Sequence, residues 1–158
     1  MLCLFEKQRD VINEKMNLQM EKTTLAFEIP SCNTMEMMCY AYDLEGTEVF
    51  ELLSEEEKIC IWNGFGPDRF PKWLRELLSL KESVILPACY IHDLDYGVGG
   101  SKKYFYKANR RFRKNACKCI DRCAGRFSFF YRQLLKVKIK IMEVLCNWLG
   151  YKGWNKKK

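Results

Sequence analysis

Two helical repeats separated by a cluster of glycines constrain the fold of this chain more than any other feature. The first repeat consists of residues spaced three and four apart, which lie on one face of a helix: Ile85, Cys89, His92 and Tyr96. Pro87 suits the first turn of this helix, and glycines at 97, 99 and 100 end it. His92 is the single histidine of the chain, and Asp93 follows it directly.

The second repeat begins at Ser101, a residue type that caps helix N-termini. The inward face of this helix is predicted to be Phe105, Ala108, Asn109, Phe112 and Ala116. Asn109 is therefore polar at a position that the pattern predicts to be buried. Because buried amides need hydrogen-bond partners, we expect polar groups to face it.

The rest of the chain predicts a mainly α-helical fold. We expect a charged helix over 4–22, a short helix opened by the capping box at 54–57, and an amphipathic helix over 70–80. In YDLEGTEVF (residues 42–50) a glycine separates two β-prone runs, which predicts a small N-terminal hairpin. A C-terminal helix is predicted from apolar residues at helical spacing: Phe130, Leu134, Val137, Ile141, Leu145 and Trp148.

The length of 158 residues suits one compact domain. Within it we distinguish an N-terminal segment, 1–57, and a core, 58–124, that contains both glycine-separated helices. Residues 125–158 are predicted to form a basic amphipathic helix and tail.

The charge of the chain is divided between its two parts. Residues 1–100 carry 9 basic and 18 acidic side chains, whereas residues 101–158 carry 18 basic and 2 acidic ones. A basic half rich in aromatic residues suits an anionic partner, either a membrane surface or nucleic acid. The alternative is that the two halves partly neutralise each other in the fold.

The nine cysteines and the N-terminus bear on the compartment. The start of the chain turns charged after five residues, so no signal peptide is evident, and the apolar runs are too short to span a membrane. We expect a cytoplasmic or membrane-associated protein with mostly reduced cysteines. Secretion by another route and a form with disulfides both stay open.

Three motifs occur in order: WNGFG at 62–66, C-x-x-H-D-x-x-Y at 89–96, and a second helix with one inward polar residue, Asn109. In combination they resemble the phospholipase A2 superfamily, in a divergent branch of the phage and bacterial kind. The resemblance covers residues 58–117. It implies a core of two antiparallel catalytic helices with a calcium loop, and hydrolysis of the sn-2 acyl ester of glycerophospholipids.

The resemblance implies a Ca²⁺ cofactor, a hard cation that prefers six to eight oxygen ligands. The implied ligands are the Asp93 carboxylate and three loop carbonyls, those of Trp62, Gly64 and Gly66, with Asp68 as a possible further ligand. Taken without the motif that follows it, this loop is also compatible with a simple turn.

The resemblance also implies catalytic roles. His92 would be the general base that activates water, and the Gly64 amide would stabilise the oxyanion. Tyr96 would hydrogen-bond to Asn109. The family has Asp at the position of Asn109, so the orienting group here lacks a charge, and Asp95 or Asp121 could supply it instead.

A second departure concerns disulfides. Secreted members of the family join the two catalytic helices by a cysteine pair, and the matching positions here are Asp95 and Ala108. Both cysteines of that pair are absent together, which argues for divergence without the bridge. Cys60 and Cys89 are a conceivable alternative pair.

The expected partner is a phospholipid membrane surface, contacted by the basic C-terminal region through Trp148, Trp154, Lys136, Lys138 and Lys140. We expect a monomer. An alternative is a membrane-binding module whose chemistry is weakened or lost at Asn109. Less favoured is a nucleic-acid-binding protein that uses the basic segment 102–118.

Overall fold

The structure, a computed structural model, describes residues 30–62, 83–123, 125 and 128–154. The helices predicted over 4–22 and 70–80 lie outside these residues, as do the loop residues Gly64, Gly66 and Asp68.

The described part of the chain is mainly helical, as predicted. Its α-helices are α1 (Cys32–Ala41), α2 (Glu55–Ile61), α3 (Leu86–Val98), α4 (Lys102–Arg122), α5 (Phe129–Leu149) and α6 (Tyr151–Trp154). Two 3₁₀ segments, Thr47–Leu52 and Ser83–Ile85, precede α2 and α3 respectively. None of these helices is long and apolar enough to cross a bilayer.

The boundaries of α3 and α4 follow from local chemistry. Pro87 lies in the first turn of α3. Gly99 and Gly100 follow the helix with φ of 71° and 123°, a backbone region that glycine adopts without strain. Ser101 then accepts a hydrogen bond from the Tyr104 N–H at 3.3 Å and begins α4. The predicted start and end of α3 and the predicted start of α4 are confirmed, except that Gly97 lies within α3.

The core lies where α3 and α4 pack on each other and on their neighbours. The predicted inward face of α4 is buried along its whole length: Phe105, Ala108, Asn109, Phe112 and Ala116. The two helices run antiparallel, because Tyr96 near the end of α3 bonds to Asn109, whereas His92, one turn earlier, packs on Phe112. Helix α4 also packs against α5.

The predicted hairpin is wrong. Residues 42–50 contain no strand, and Thr47–Leu52 forms a 3₁₀ turn that buries Val49 and Phe50. The peptide of Glu45 bonds to the Asn115 side chain of α4, which accepts from its N–H at 2.9 Å and donates to its carbonyl at 2.8 Å. These peptide groups are therefore satisfied by a helix and have no need of a partner strand.

A buried ion pair joins α3 to α4. Asp95 is fully buried and Arg111 is 5% exposed. The guanidinium donates from Nε to Asp95 at 3.2 Å and from Nη2 to the other carboxylate oxygen, while Nη1 reaches Glu48 at 2.9 Å. An ionic contact therefore joins the two helices at this point.

Two sequence predictions about charge and cysteines have clear outcomes. Basic side chains of α4 pair with acidic groups of the first half, for example Lys114 with Glu45 and Lys118 with Asp43. These contacts favour the alternative in which the two halves partly neutralise each other.

The conceivable Cys60–Cys89 disulfide is wrong, because Cys60 is an exposed thiol and Cys89 a buried one.

Helix α5 buries only a narrow side. Leu135 and Ile139 are its buried residues. Five of the six residues of the predicted apolar repeat are exposed, Phe130 by 84% and Trp148 by 79%, whereas Leu145 is half-buried. We call this surface the exposed stripe; its members are Phe130, Leu134, Val137, Ile141, Val144 and Trp148.

Candidate active site

The candidate site is built around His92 on α3 and Asn109 on α4. His92 Nε2 lies 2.9 Å from Asn109 Oδ1, and the Tyr96 hydroxyl donates to the same oxygen at 3.0 Å. His92 and Tyr96 face Asn109 together because they are one helical turn apart on α3. The expectation that polar groups would face the buried Asn109 is confirmed, and so is its bond to Tyr96.

Aromatic packing holds the imidazole in this position. Its ring centroid lies 4.6 Å from that of Tyr96 and 4.9 Å from that of Phe112. Tyr96 is supported in turn by Trp154, whose ring meets it edge-on at 5.0 Å. Both neighbours of the imidazole are themselves fixed by helix packing, so few ring orientations are open to His92.

Asn147 is the third hydrogen-bond partner of Asn109. Asn109 Nδ2 donates to Asn147 Oδ1 on α5 at 2.8 Å. Sequence reasoning missed Asn147, although a signal was present: it is an amide within the largely apolar run VLCNWL. As buried polar groups require partners, such an amide indicates a polar group on the facing helix.

The orientation of Asn109 determines which imidazole nitrogen carries the proton. A carbonyl oxygen only accepts hydrogen bonds, so Nε2 must donate to Asn109 Oδ1. The neutral ring then has its lone pair on Nδ1, and Nδ1 is the nitrogen able to take a proton.

Burial lowers the pKa of His92 to about 4; the hydrogen bond with Asn109 opposes this shift, and the positive charge of Arg111 adds to it. The imidazole is therefore neutral near pH 7 and able to act as a base. Because Asn109 is uncharged, no carboxylate at that position stabilises the protonated ring.

Asp93 presents a carboxylate oxygen that suits a metal ion. Its Oδ2 is buried and has no hydrogen-bond partner among the described residues, and burial raises the pKa of this carboxyl well above its usual value. A buried carboxylate without a partner is costly unless a cation compensates it. Calcium is a hard cation with oxygen ligands, so Asp93 fits the predicted role.

The start of the predicted calcium loop lies against α3. Trp62 is buried, meets the Tyr90 ring edge-on at 5.3 Å, and donates from Nε1 to the Pro30 carbonyl at 2.9 Å. Within the described ranges no three His, Cys, Asp or Glu side chains cluster as a metal site. Of the predicted calcium ligands, Asp93 is the single carboxylate in these ranges, and Trp62 would contribute a backbone carbonyl.

Two acidic residues that could have compensated for Asn109 are engaged elsewhere. Asp95 is bonded to Arg111, and Asp121 accepts from Lys136 on the surface at 2.9 Å. His92 instead has the neutral Asn109 as its hydrogen-bond partner.

The predicted membrane-binding residues do not form one group. Trp148 belongs to the exposed stripe, and Lys140 is exposed on the same helix. Trp154 is only 2% exposed and donates to the Gly100 carbonyl at 2.9 Å. Its predicted membrane contact is therefore wrong, because its side chain is used in the core behind Tyr96.

Comparison of the chain with protein-family models, with curated proteins and with solved structures finds no match.

Proposed function

We propose that this protein is a calcium-dependent, phospholipase A2-like hydrolase that cleaves the sn-2 acyl ester of glycerophospholipids. The observation that carries the proposal is one constellation. A neutral imidazole is oriented by Asn109 and Tyr96, and the next residue, Asp93, has a buried carboxylate oxygen that finds no hydrogen-bond partner in the described part of the chain.

In the proposed reaction His92 acts through Nδ1. This nitrogen removes a proton from a water molecule as the oxygen of that water attacks the ester carbonyl. Asn109 Oδ1 holds the Nε2–H during the transfer, and Tyr96 limits the movement of Asn109. The imidazolium then returns its proton to the leaving alkoxide of the lysophospholipid.

Asp93 and the carbonyls of Trp62, Gly64 and Gly66 would hold the calcium ion, with Asp68 as a possible further ligand. When bound, the ion supplies charge that polarises the ester carbonyl and holds the substrate phosphate. The Gly64 amide would add a hydrogen bond to the oxyanion. Because Asn109 lacks the charge of a carboxylate, we expect a slow enzyme.

The exposed stripe suits a lipid surface. At about 100° per residue, the members of the stripe fall within a narrow arc around α5. Lys138 and Lys140 lie about 80° from the centre of this arc, one on each side. An apolar face with flanking lysines is typical of helices that lie in the interface of anionic membranes. We therefore place α5 on the membrane, with Trp148 and Lys140 in contact and Trp154 excluded.

The hydrolytic proposal predicts fatty-acid release that requires both His92 and calcium. Release from phosphatidylglycerol vesicles by the wild type should stop when calcium is chelated. His92→Gln should lower the calcium-dependent rate by about 10²-fold or more, since general-base catalysis contributes at least that much. Glu51→Gln, which changes an exposed carboxylate on the 3₁₀ segment, is the matched control and should leave the rate unchanged.

Release that persists in the chelator, or an unchanged rate in His92→Gln, contradicts the proposed chemistry. An absence of calcium-dependent release from both the wild type and Asn109→Asp overturns the enzymatic function altogether.

A second candidate function is a membrane-binding module with little or no hydrolytic activity. The observation that favours it is the exposed stripe, which needs no chemistry at His92. Both functions predict vesicle binding, and only the first predicts calcium-dependent release.

Vesicle binding should depend on the exposed stripe. Phe130→Ser together with Trp148→Ser should weaken co-sedimentation with anionic vesicles by about 10-fold or more, because two large aromatic side chains no longer enter the lipid. Ile59→Ser is the control, as Ile59 is 66% exposed on α2 and outside the stripe. If the wild type forms a dimer and does not bind vesicles, and the double variant is a monomer, then the stripe contacts a second copy of the chain instead of a membrane.

A further inference from the structure

We propose that Asn147 is a positioning residue that selects the imidazole tautomer of His92 through the orientation of Asn109. Its consequence for catalysis rests on the proposed hydrolytic function. The contacts that carry it form a continuous chain from α5 to α3: Asn147 Oδ1 accepts from Asn109 Nδ2 at 2.8 Å, and Asn109 Oδ1 faces His92 Nε2 at 2.9 Å.

The two neighbours of Asn109 on α3 cannot choose its orientation. A carboxamide has an accepting end and a donating end, and it can turn by half a revolution with little change in shape. The Tyr96 hydroxyl can donate or accept, and so can the neutral imidazole at Nε2. If Asn109 turned, its Nδ2 would donate to both groups, and His92 would carry its proton on Nδ1.

That turned arrangement would remove the base. With the proton on Nδ1, the lone pair lies on Nε2 and is occupied by the Asn109 amide, so no nitrogen remains to activate water. In the structure Asn147 presents its Oδ1 to Asn109 Nδ2, and this orientation of the Asn147 amide favours the productive arrangement. An Asn147 amide turned by half a revolution would favour the other arrangement, whereas Asp at 147 accepts in either orientation. Asn109 is fully buried, and among the described residues Asn147 supplies the acceptor for its Nδ2.

Asn147 is needed to select the orientation of residue 109 because that residue is an asparagine, whose side chain has one accepting and one donating end. A carboxylate accepts at both oxygens, so either orientation of an Asp side chain accepts the Nε2–H. Asn147 should therefore determine the tautomer in the wild type and lose this influence in Asn109→Asp.

The single histidine of the chain allows a direct test. Imidazole ¹⁵N chemical shifts of ¹⁵N-histidine-labelled protein report the tautomer of His92 without resonance assignment. The spectra are recorded with chelator near pH 7, on the wild type, Asn147→Asp and Asn147→Leu. Asn147→Asp keeps an acceptor, and Asn147→Leu removes it at similar size.

We expect the Nε2–H tautomer to dominate in the wild type and in Asn147→Asp. In Asn147→Leu the ratio of the Nε2–H to the Nδ1–H tautomer should fall by about fivefold, the effect of one lost neutral hydrogen bond. In the background of Asn109→Asp the same Leu substitution should not change the ratio. Asn147→Ala replaces Asn147→Leu if the latter does not fold by circular dichroism.

A folded Asn147→Leu or Asn147→Ala variant with the wild-type tautomer ratio overturns the inference, and so does loss of the Nε2–H tautomer in Asn147→Asp. The readout needs no substrate. The expected tautomer shifts without any hydrolysis would leave the positioning role in place and refute the enzymatic function. Calcium-dependent hydrolysis with unchanged tautomer ratios would support the enzymatic function and refute the positioning role of Asn147.

Discussion

Asn109→Asp should raise the rate of calcium-dependent fatty-acid release by about 10²- to 10⁴-fold. A carboxylate beside the Nε2–H stabilises the imidazolium that forms when His92 takes a proton from water. The scale comes from the serine-protease triad, in which replacing the equivalent Asp by Asn costs about 10⁴ in rate. Initial rates on anionic vesicles at saturating calcium measure the gain.

The same substitution should change the pH dependence in a defined direction. Burial lowers the pKa of His92 to about 4 in the wild type, and a carboxylate at 109 favours the charged ring and raises this pKa. Since the base must be unprotonated, activity that persists in the wild type toward pH 4 should be lost at a higher pH in Asn109→Asp. A pH profile of the rate and a ¹⁵N titration of His92 measure the shift independently.

Asn115→Asp is the matched control for this experiment. Asn115 is also a buried amide of α4, but it bonds to the peptide of Glu45 and not to His92. It should give no gain in rate. A raised His92 pKa in Asn109→Asp without any gain in hydrolysis would indicate that the missing charge is not what limits activity, and would favour the membrane-binding module.

Asp95→Ala should lower the free energy of unfolding by about 3–5 kcal/mol. The substitution leaves the Arg111 guanidinium buried without its main partner, and an uncompensated buried charge is strongly destabilising. Glu48 remains as a partner, but its carboxylate is on the surface, where pairing contributes little. Urea unfolding followed by circular dichroism measures the loss.

Two further variants separate this effect from a general loss of contacts. Asp43→Ala removes the exposed partner of Lys118 and should cost less than about 1 kcal/mol. Asp95→Leu combined with Arg111→Met removes both charges and should recover most of the stability, because apolar replacement of a buried pair is often neutral. A cost of less than about 1 kcal/mol for Asp95→Ala would show that the ion pair does not hold α3 to α4.

Sequence reasoning succeeded where the signal is local. The starts of α3 and α4 follow from Pro87 and Ser101, and the turn between them from its glycines. Helical spacing puts His92 and Tyr96 on one face of α3, so both face Asn109 once α3 and α4 pack together. Such features depend on residues a few positions apart, so the chain need not be folded for them to be recognised.

Sequence reasoning failed where a distant part of the chain contacts the peptide group or side chain on which the local prediction depended. The residues around Gly46 have β-prone neighbours, but Asn115, seventy positions after Glu45, satisfies the peptide that a hairpin would have used. Trp154 resembles a membrane-facing residue in an aromatic, basic tail, yet its ring is buried and packs edge-on against Tyr96. Neither partner is visible in the local pattern.

By itself, the sequence determined the helical class, the ends of α3 and α4, and the alignment of His92, Asp93 and Tyr96 on one helix, because these depend on spacing and capping. Only the tertiary structure decided that Asn147 holds the far end of Asn109, that Asp95 pairs with Arg111, and that most of the apolar repeat of α5 faces outward. Helical periodicity identifies an apolar face but not what it contacts, and a polar side chain has no partner until distant helices pack.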